Sequence, residues 1–245
     1  MMYTEENPLR CFFAFAGYDS QALALRRLGI PYVCVGWSEI DKHAITAHDA
    51  LFPEDADKNF GDISKIDWTQ VPDFDLFTFS FPCQDISAAG QQRGFEQGSG
   101  TRSSLLWECE KAIKEKRPKY LLMENVKALV QKKFKAQYEK WLTLLHSYGY
   151  ANFWQVLNSK NYGIPQNRER VFCVSILRTV GDPTPSYVFP EPFHLEKRLK
   201  DVLEDEVDEK YYLSDKMLEY FNRVNEDKSH GHDFKPTDGG VLRSQ

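Results

Sequence analysis

Phe81-Pro82-Cys83-Gln84 is the stretch of this sequence best equipped for chemistry. It follows an apolar run, Asp75 to Phe79, that reads as a buried strand. Pro82 stops that strand and directs the chain into Cys83. A loop rich in glycine and serine comes next, through Ala88-Ala89-Gly90 and Gly94-Phe95 to Gly98-Ser99-Gly100, too long for a mere connector. A thiol at the root of such a loop is placed to attack a molecule that the loop covers. The commoner fate of a lone cysteine is burial as a small apolar residue. The polar pair Gln84-Asp85 and the glycines that follow argue against that fate here.

Two further groups carry chemistry. Glu124-Asn125 follows a second apolar run, Lys119 to Met123. α/β enzymes place reactive groups at such strand ends. Against an apolar strand the Glu124 pKa is expected to rise, so that it can hold a proton near neutrality. Its plainer roles are capping a helix that starts at Val126 or pairing with a lysine. Arg168 and Arg170 are two residues apart on an extended segment, so both face one side. Paired guanidinium groups suit phosphates or a base. A surface ladder with Glu169 is the plainer alternative.

The elements that must hold these groups alternate strand and helix. Arg10 to Phe15 reads as a first buried strand, Ala16 to Ser20 as a turn, and Gln21 to Leu28 as a helix with apolar Ala22, Leu23, Leu25 and Leu28. Tyr32 to Ser38 is a second strand ending at Glu39, and Asp41 can cap a helix from Lys42 to Leu51. A carboxylate at the end of the second strand of such a unit can hold the ribose of a nucleoside-type cofactor. The turn has one glycine rather than three, so an ordinary strand-helix-strand unit stays open. Asp62 follows Gly61 after a further helix and a polar turn. It suits either an adenine amino group beyond a short strand or a helix N-cap. Ser103 to Lys116 and Lys133 to Ser147 read as amphipathic helices. Tyr150 to Leu157 and Arg170 to Ile176 read as a pair of strands. Beyond Leu177 order weakens. Asp182-Pro183-Thr184-Pro185 and Phe189 to Phe193 are linker-like, Tyr211 to Asn222 reads as one helix, and Asn225 to Gln245 is polar and reads as flexible.

Composition narrows the class. The 245 residues are 42% hydrophobic and 14% aromatic, enough for a substantial core. No run approaches a membrane span and the start lacks the pattern of a signal peptide. Five scattered cysteines without a CxxC pair suit a reduced, intracellular protein and exclude a zinc motif. With a net charge of -5, any nucleic acid must be met by a local basic face.

Taken together, these stretches resemble the DNA (cytosine-5) methyltransferases of bacterial restriction–modification systems, from about Arg10 to Phe193. The resemblance rests on Phe81-Pro82-Cys83-Gln84 with its loop, Met123-Glu124-Asn125-Val126, and Gln166-Asn167-Arg168-Glu169-Arg170 after Tyr162-Gly163-Ile164-Pro165. Phe15-Ala16-Gly17, Glu39 and Gly61-Asp62-Ile63 match the cofactor motifs. It implies an α/β, Rossmann-like S-adenosylmethionine-dependent methyltransferase fold with a mostly parallel, doubly wound sheet. It implies a catalytic domain over residues 8–193, then a linker and the start of an incomplete target-recognition region over 194–245. Cys83 would be the nucleophile, Glu124 would hold the base, and Arg168 and Arg170 would support both. S-adenosylmethionine would lie against Phe15, Ala16, Gly17, Tyr18, Ser20, Glu39, Ile40, Asp62, Ile63, Pro82 and Leu105. Double-stranded DNA would meet Gln84, Ser87, Gln91, Arg93 and Asn125. No metal is implied. The setting would be the bacterial cytoplasm, with a monomer and a possible cognate restriction endonuclease.

Four positions depart from the family pattern. Asp19 and Ser20 stand where two glycines are usual, Phe13 where an acid is usual, and Ile40 where an aromatic residue is frequent. The family's target-recognition part and the Asn-Ser-Val-type motif after it have no counterpart in the sequence. The alternative is therefore a catalytically inactive fragment that binds cofactor or DNA and needs the remaining part. An RNA cytosine methyltransferase of the eukaryotic type is disfavoured, because the loop has no Cys-Phe-Thr triplet.

Overall fold

The computed structural model describes residues 3–87, 90–179 and 185–226. Six strands form one sheet: β1 (Leu9–Ala14), β2 (Tyr32–Ser38), β3 (Leu76–Phe79), β4 (Tyr120–Val126), β5 (Tyr150–Asn158) and β6 (Glu169–Leu177). Their spatial order is β2-β1-β3-β4-β6-β5. The first four run parallel, β6 is antiparallel to β4, and β5 is antiparallel to β6. The sheet is Rossmann-like and mostly parallel.

Helices cover both faces. α1 (Ser20–Arg27) and α2 (Lys42–Leu51) lie on one side, α3 (Leu106–Lys116) and α4 (Lys135–Ser147) on the other. Alternation along β1 divides the core accordingly. Cys11 and Phe13 join Ala22, Trp37 and Phe52, whereas Phe12 and Ala14 join Phe77, Phe79, Met123, Cys109 and Trp141. Burial on both faces is why these strands read as unbroken apolar runs. Burying a side chain such as Phe12 or Phe77 stabilises the fold by roughly 1.5–3 kcal/mol.

Several boundaries differ from the sequence expectations. β1 ends at Ala14, because Phe15 turns into the left-handed region at φ 54°. α1 stops at Arg27, and Leu28 is 72% exposed rather than part of an apolar face. The short strand expected directly before Asp62 is only an isolated bridge between Asn59 and Trp37. Residues Pro53–Lys58 form a 3-10 turn, and Asp62 caps another, Ile63–Lys65. Glu124, Asn125 and Val126 lie inside β4 rather than after it, since β6 pairs with all three. The helix expected from Val126 is a 3-10 turn, Lys127–Val130. α3 is preceded by a 3-10 turn, Arg102–Leu105, and α4 begins two residues later than expected.

The chain divides into two compact units, Met1–Leu195 and Glu196–Gln245. The described part of the second carries two 3-10 turns and α5 (Asp215–Glu226), so the helix expected from Tyr211 starts four residues later. Most of the Asp182-Pro183-Thr184-Pro185 stretch and nearly all of Asn225 to Gln245 lie outside the described residues. No described helix is long and apolar enough to cross a membrane.

Candidate active site

Parallel strands with helices between them expose their carboxyl ends along one edge of the sheet, and a bound molecule reaches them there. Phe15 follows β1, Glu39 follows β2, Cys83 lies just past β3, and Glu124 lies near the end of β4.

The turn around Cys83 is held on every side. The Cys83 carbonyl accepts from Ile86 N at 2.9 Å and Ser87 N at 2.8 Å. The Asn125 amide donates to the Phe81 carbonyl at 2.9 Å. Ser103 donates to the Pro82 carbonyl at 2.6 Å, and its hydroxyl accepts from Asp85 N at 3.2 Å. Asp85 is buried, and its carboxylate accepts from Arg93 Nε at 2.8 Å and Ser103 N at 3.3 Å. Arg93 holds the Asp85 carboxyl below the usual carboxylate range. Neither Asp85 nor Ser103 stands among the expected site residues. The burial of the acid next to Gln84 shows only once the 3-10 turn before α3 is known to lie against it.

Among the five cysteines only Cys83 is part-exposed. Burial raises the thiols of Cys11, Cys34, Cys109 and Cys173, with Cys34 pushed to about 12. Cys83, Gln84, Asp85, Ser87, Gly90, Gln91, Arg93 and Arg102 line an open cleft of about 430 Å³. The sequence expectations for Gln84, Ser87, Gln91 and Arg93 thus fall in one place, and Arg102 joins them. Asn125 is buried, with its amide engaged by Phe81.

Gly90 closes the loop against this turn. A β-carbon there would lie 1.9 Å from the Gln84 carbonyl oxygen, where backbone cannot yield cheaply. Gly90→Ala is therefore expected to displace the loop from Cys83 and lower turnover at least tenfold, with a melting temperature near that of the wild type. Turnover assays beside thermal melts check this, and unchanged turnover would sink it. Farther along, Phe95 is fully buried against Phe81, and its carbonyl accepts from Trp107 Nε1 at 2.7 Å. Phe95 N also donates to Gln137 Oε1 at 3.2 Å. Burying a side chain like this is worth roughly 1.5–3 kcal/mol, so this end of the loop is fixed.

Glu124 pairs with Arg170, Nε to Oε1, at 3.1 Å. The pair follows from register. Val126 faces Arg170 and Glu124 faces Phe172, so the two charges are diagonal neighbours on one side of the sheet. Burial raises the Glu124 pKa, and Arg170, Arg168 and the Ser80 hydroxyl pull it down. The net direction is upward, so desolvation outweighs both arginines. Arg168 is exposed, just before β6.

At the ends of β1 and β2, Glu39 organises the turn. Its Oε2 accepts from Gly17 N at 3.0 Å, and its Oε1 accepts from Ile40 N at 2.8 Å and Asp41 N at 2.9 Å. A carboxylate has about four acceptor positions, so it retains capacity for a hydroxyl. The space above Gly17 is open, and a β-carbon there would meet nothing within 4 Å. Tyr18 and Ile40 are exposed on the rim, and Phe15 is part-exposed. Asp62 accepts from Ser64 N at 3.0 Å and Ser64 Oγ at 2.7 Å, so the N-cap role holds. Ala16 and Ile63 are buried, while Pro82 and Leu105 are part-exposed. An open turn, a carboxylate with spare acceptors and unpartnered apolar rims fit an adenosine-type group with a charged tail.

Asp19 caps α1 from a left-handed conformation, accepting from Ala22 N at 2.9 Å, while its Oδ2 is buried without a partner. Burial raises its pKa to about 7. An acid raised in the folded state contributes stability that is full below its unfolded pKa and lost as pH rises through the folded value. Stability should thus fall between about pH 4 and pH 7 by a few kcal/mol from this group alone. Asp19→Asn keeps the cap and should flatten that slope. Urea denaturation at pH 5 and pH 8 checks it, and an unchanged slope would refute it.

Residues 10–243 match the C-5 cytosine-specific DNA methylase family. The chain is 43% identical over 261 residues to the type II methyltransferase M2.ScrFI of Lactococcus lactis subsp. cremoris, covering 86% of this chain and 71% of that protein. It is 33% identical to the orphan methyltransferase M.Rho11sI of Bacillus phage rho11s, covering 90% of this chain but 49% of that protein. Among solved structures, the S. pombe Dnmt2 methyltransferase superposes with a TM-score of 0.66 at 22% identity, over 88% of this chain and 67% of that one. That likeness concerns the fold.

Proposed function

Because this chain belongs to the C-5 cytosine-specific DNA methylase family, we propose that it transfers a methyl group from S-adenosylmethionine to carbon 5 of cytosine in double-stranded DNA. The observation that carries the reading is the part-exposed Cys83 in its braced turn past β3, one strand from Glu124 on β4 and its partner Arg170 on β6. The catalytic domain would span residues 8–193, and 194–245 would begin the part that reads DNA sequence. The break between compact units after Leu195 supports that division.

Phe15, Ala16, Gly17, Tyr18, Ser20, Glu39, Ile40, Asp62, Ile63, Pro82 and Leu105 would hold S-adenosylmethionine, which would supply an electrophilic methyl group when bound, the sulfur keeping the S–CH3 electron pair and leaving as S-adenosylhomocysteine. The remaining chemistry falls to the protein. Carbon 5 of cytosine is a weak nucleophile. The Cys83 thiolate adds to carbon 6, and the electron pair moves toward carbon 5, which can then bond to the methyl carbon. Glu124 holds ring nitrogen 3 and the exocyclic amino group as charge shifts, and Arg170 with Arg168 fixes the carboxylate and the base carbonyl. A base then takes the carbon 5 proton. That electron pair reforms the ring double bond and expels Cys83 as thiolate.

The base must leave the duplex first, at a cost of a few kcal/mol. Gln84, Ser87, Gln91, Arg93 and Asn125 are assigned to the DNA side. The loop from Ser87 to Gly100 would close over the base, its Phe95 end already anchored. The test is DNA carrying 5-fluorocytosine, mixed with the chain and S-adenosylmethionine. Fluorine at carbon 5 cannot leave as a proton does, so a denaturant-stable protein–DNA band is expected. Free protein alone, with cofactor binding demonstrated, would reject methyl transfer by this chain.

A further inference from the structure

Three side chains outside the catalytic set converge on the end of β3. Ser20 Oγ donates to Gln21 Oε1 at 3.1 Å, and Gln21 Nε2 donates to Ser80 Oγ at 3.2 Å. An amide nitrogen can only donate, so Ser80 Oγ is the acceptor there and keeps its own proton to give. Phe79, the residue before Ser80, pairs with Met123, the residue before Glu124. Ser80 therefore stands beside Glu124 on the adjacent strand. Met123 belongs to the core under α3 and α4, so by alternation Glu124 faces the side that α1 covers. Gln21 lies on the first turn of α1. The Ser80 hydroxyl favours the charged form of Glu124, together with Arg170 on β6 and Arg168 before it.

We propose that Ser20, Gln21 and Ser80 form a one-way donor chain that ends on Glu124, making Gln21 and Ser80 positioning residues for the reaction. As a catalytic role it rests on the reading of Glu124 given above. A carboxylate accepts only, so the direction cannot reverse while Glu124 is ionised. The chain starts in the turn assigned to the cofactor and ends on the group assigned to the base. Whatever orders Ser20 thereby orders the Glu124 carboxylate. Ser20, which stands where the family has a glycine, gains a role that glycine cannot fill. Nothing in sequence spacing links positions 21 and 80.

The test is a titration of Glu124 by carbon-13 NMR in the full chain, labelled at glutamate carboxyl carbons and assigned with Glu124→Gln. Loss of a donor to the charged form raises the midpoint. Ser80→Ala is expected to raise it by about half to one pH unit, and Gln21→Ala by less. The double variant should match Ser80→Ala alone, because Gln21 acts only through Ser80. Ser80→Thr should restore the wild-type midpoint. An unmoved midpoint in Ser80→Ala, or additive shifts in the double variant, overturns the proposal. Gln21 is part-exposed on a helix, so Gln21→Ala carries the test if Ser80→Ala does not fold. The readout needs no turnover, so failure of methyl transfer and failure of the donor chain are distinguishable. In a chain that methylates DNA, Ser80→Ala should lower kcat roughly tenfold with little change in KM for DNA.

Discussion

Cys83→Ser is expected to lower methyl transfer at least about a thousand-fold and to leave the fold unchanged. A serine hydroxyl is far less ionised than a thiol near neutrality and attacks carbon 6 too weakly. The structure separates this loss from a folding defect. Cys83 is part-exposed, and the turn around it is held through backbone atoms and through Asn125, Ser103 and Asp85. None of those bonds uses the thiol. Stability should therefore change by less than about 0.5 kcal/mol, the usual range for a surface substitution. Incorporation of labelled methyl groups, beside a thermal melt, makes the comparison. The covalent band with 5-fluorocytosine DNA should vanish in the same variant. Turnover within tenfold of the wild type would end the role given to Cys83.

Glu124→Gln should cost about a hundred- to a thousand-fold in turnover without a matching cost in stability. The size is that of one electrostatic stabiliser lost from an acyl-transfer site, taken here as an order of magnitude. Burial raises the Glu124 pKa despite Arg170 and Arg168, so the charged form is disfavoured in the folded state. The sign then follows. A carboxyl whose folded pKa is raised contributes stability that is full below its unfolded pKa and lost as pH rises through the folded value. At pH 8 the wild type bears that loss and Glu124→Gln does not. Arg170 loses its partner, but its side chain keeps 23% exposure and can take water instead. Urea midpoints at pH 5 and pH 8 are expected to lie closer together in the variant than in the wild type, the Asp19 slope remaining, with its pH 8 value at or above the wild type. A variant that is both inactive and markedly less stable at pH 8 would mean that Glu124 serves the fold. An unfavourable charge kept at a strand end is what a catalytic carboxylate requires.

Much of the scaffold was legible in the sequence. β2 has the expected bounds, Asp41 caps α2 by accepting from His43 N and Ala44 N, and the central strand leads into Cys83. These features rest on signals that act over a few residues: apolar runs, a cap, and a proline that cannot donate. The candidate residues could also be picked out, because a cysteine, a carboxylate and paired arginines at strand ends are unusual neighbours of apolar runs. The order of their motifs was enough to suggest the family.

Partnership across the sheet was not legible. Glu124 and Asn125 looked like the start of a connector because they are polar, yet β6, more than forty residues later, makes them part of a strand. The same register sets Arg170 diagonal to Glu124, and Ser80 beside Glu124 with Gln21 above it. Phe15 reads as a strand residue, but its left-handed backbone and the link from Gly17 to Glu39 make it part of a turn. Nothing local in the sequence marks Asp85 or Asp19 as buried, and both are. Steric and apolar preferences are properties of short segments, so the sequence alone determined which strands and helices form and which side chains stand at their ends. Burial, charge pairing and the direction of a hydrogen bond depend on which segment lies next to which. Only the assembled sheet, with β6 inserted between β4 and β5, decided those.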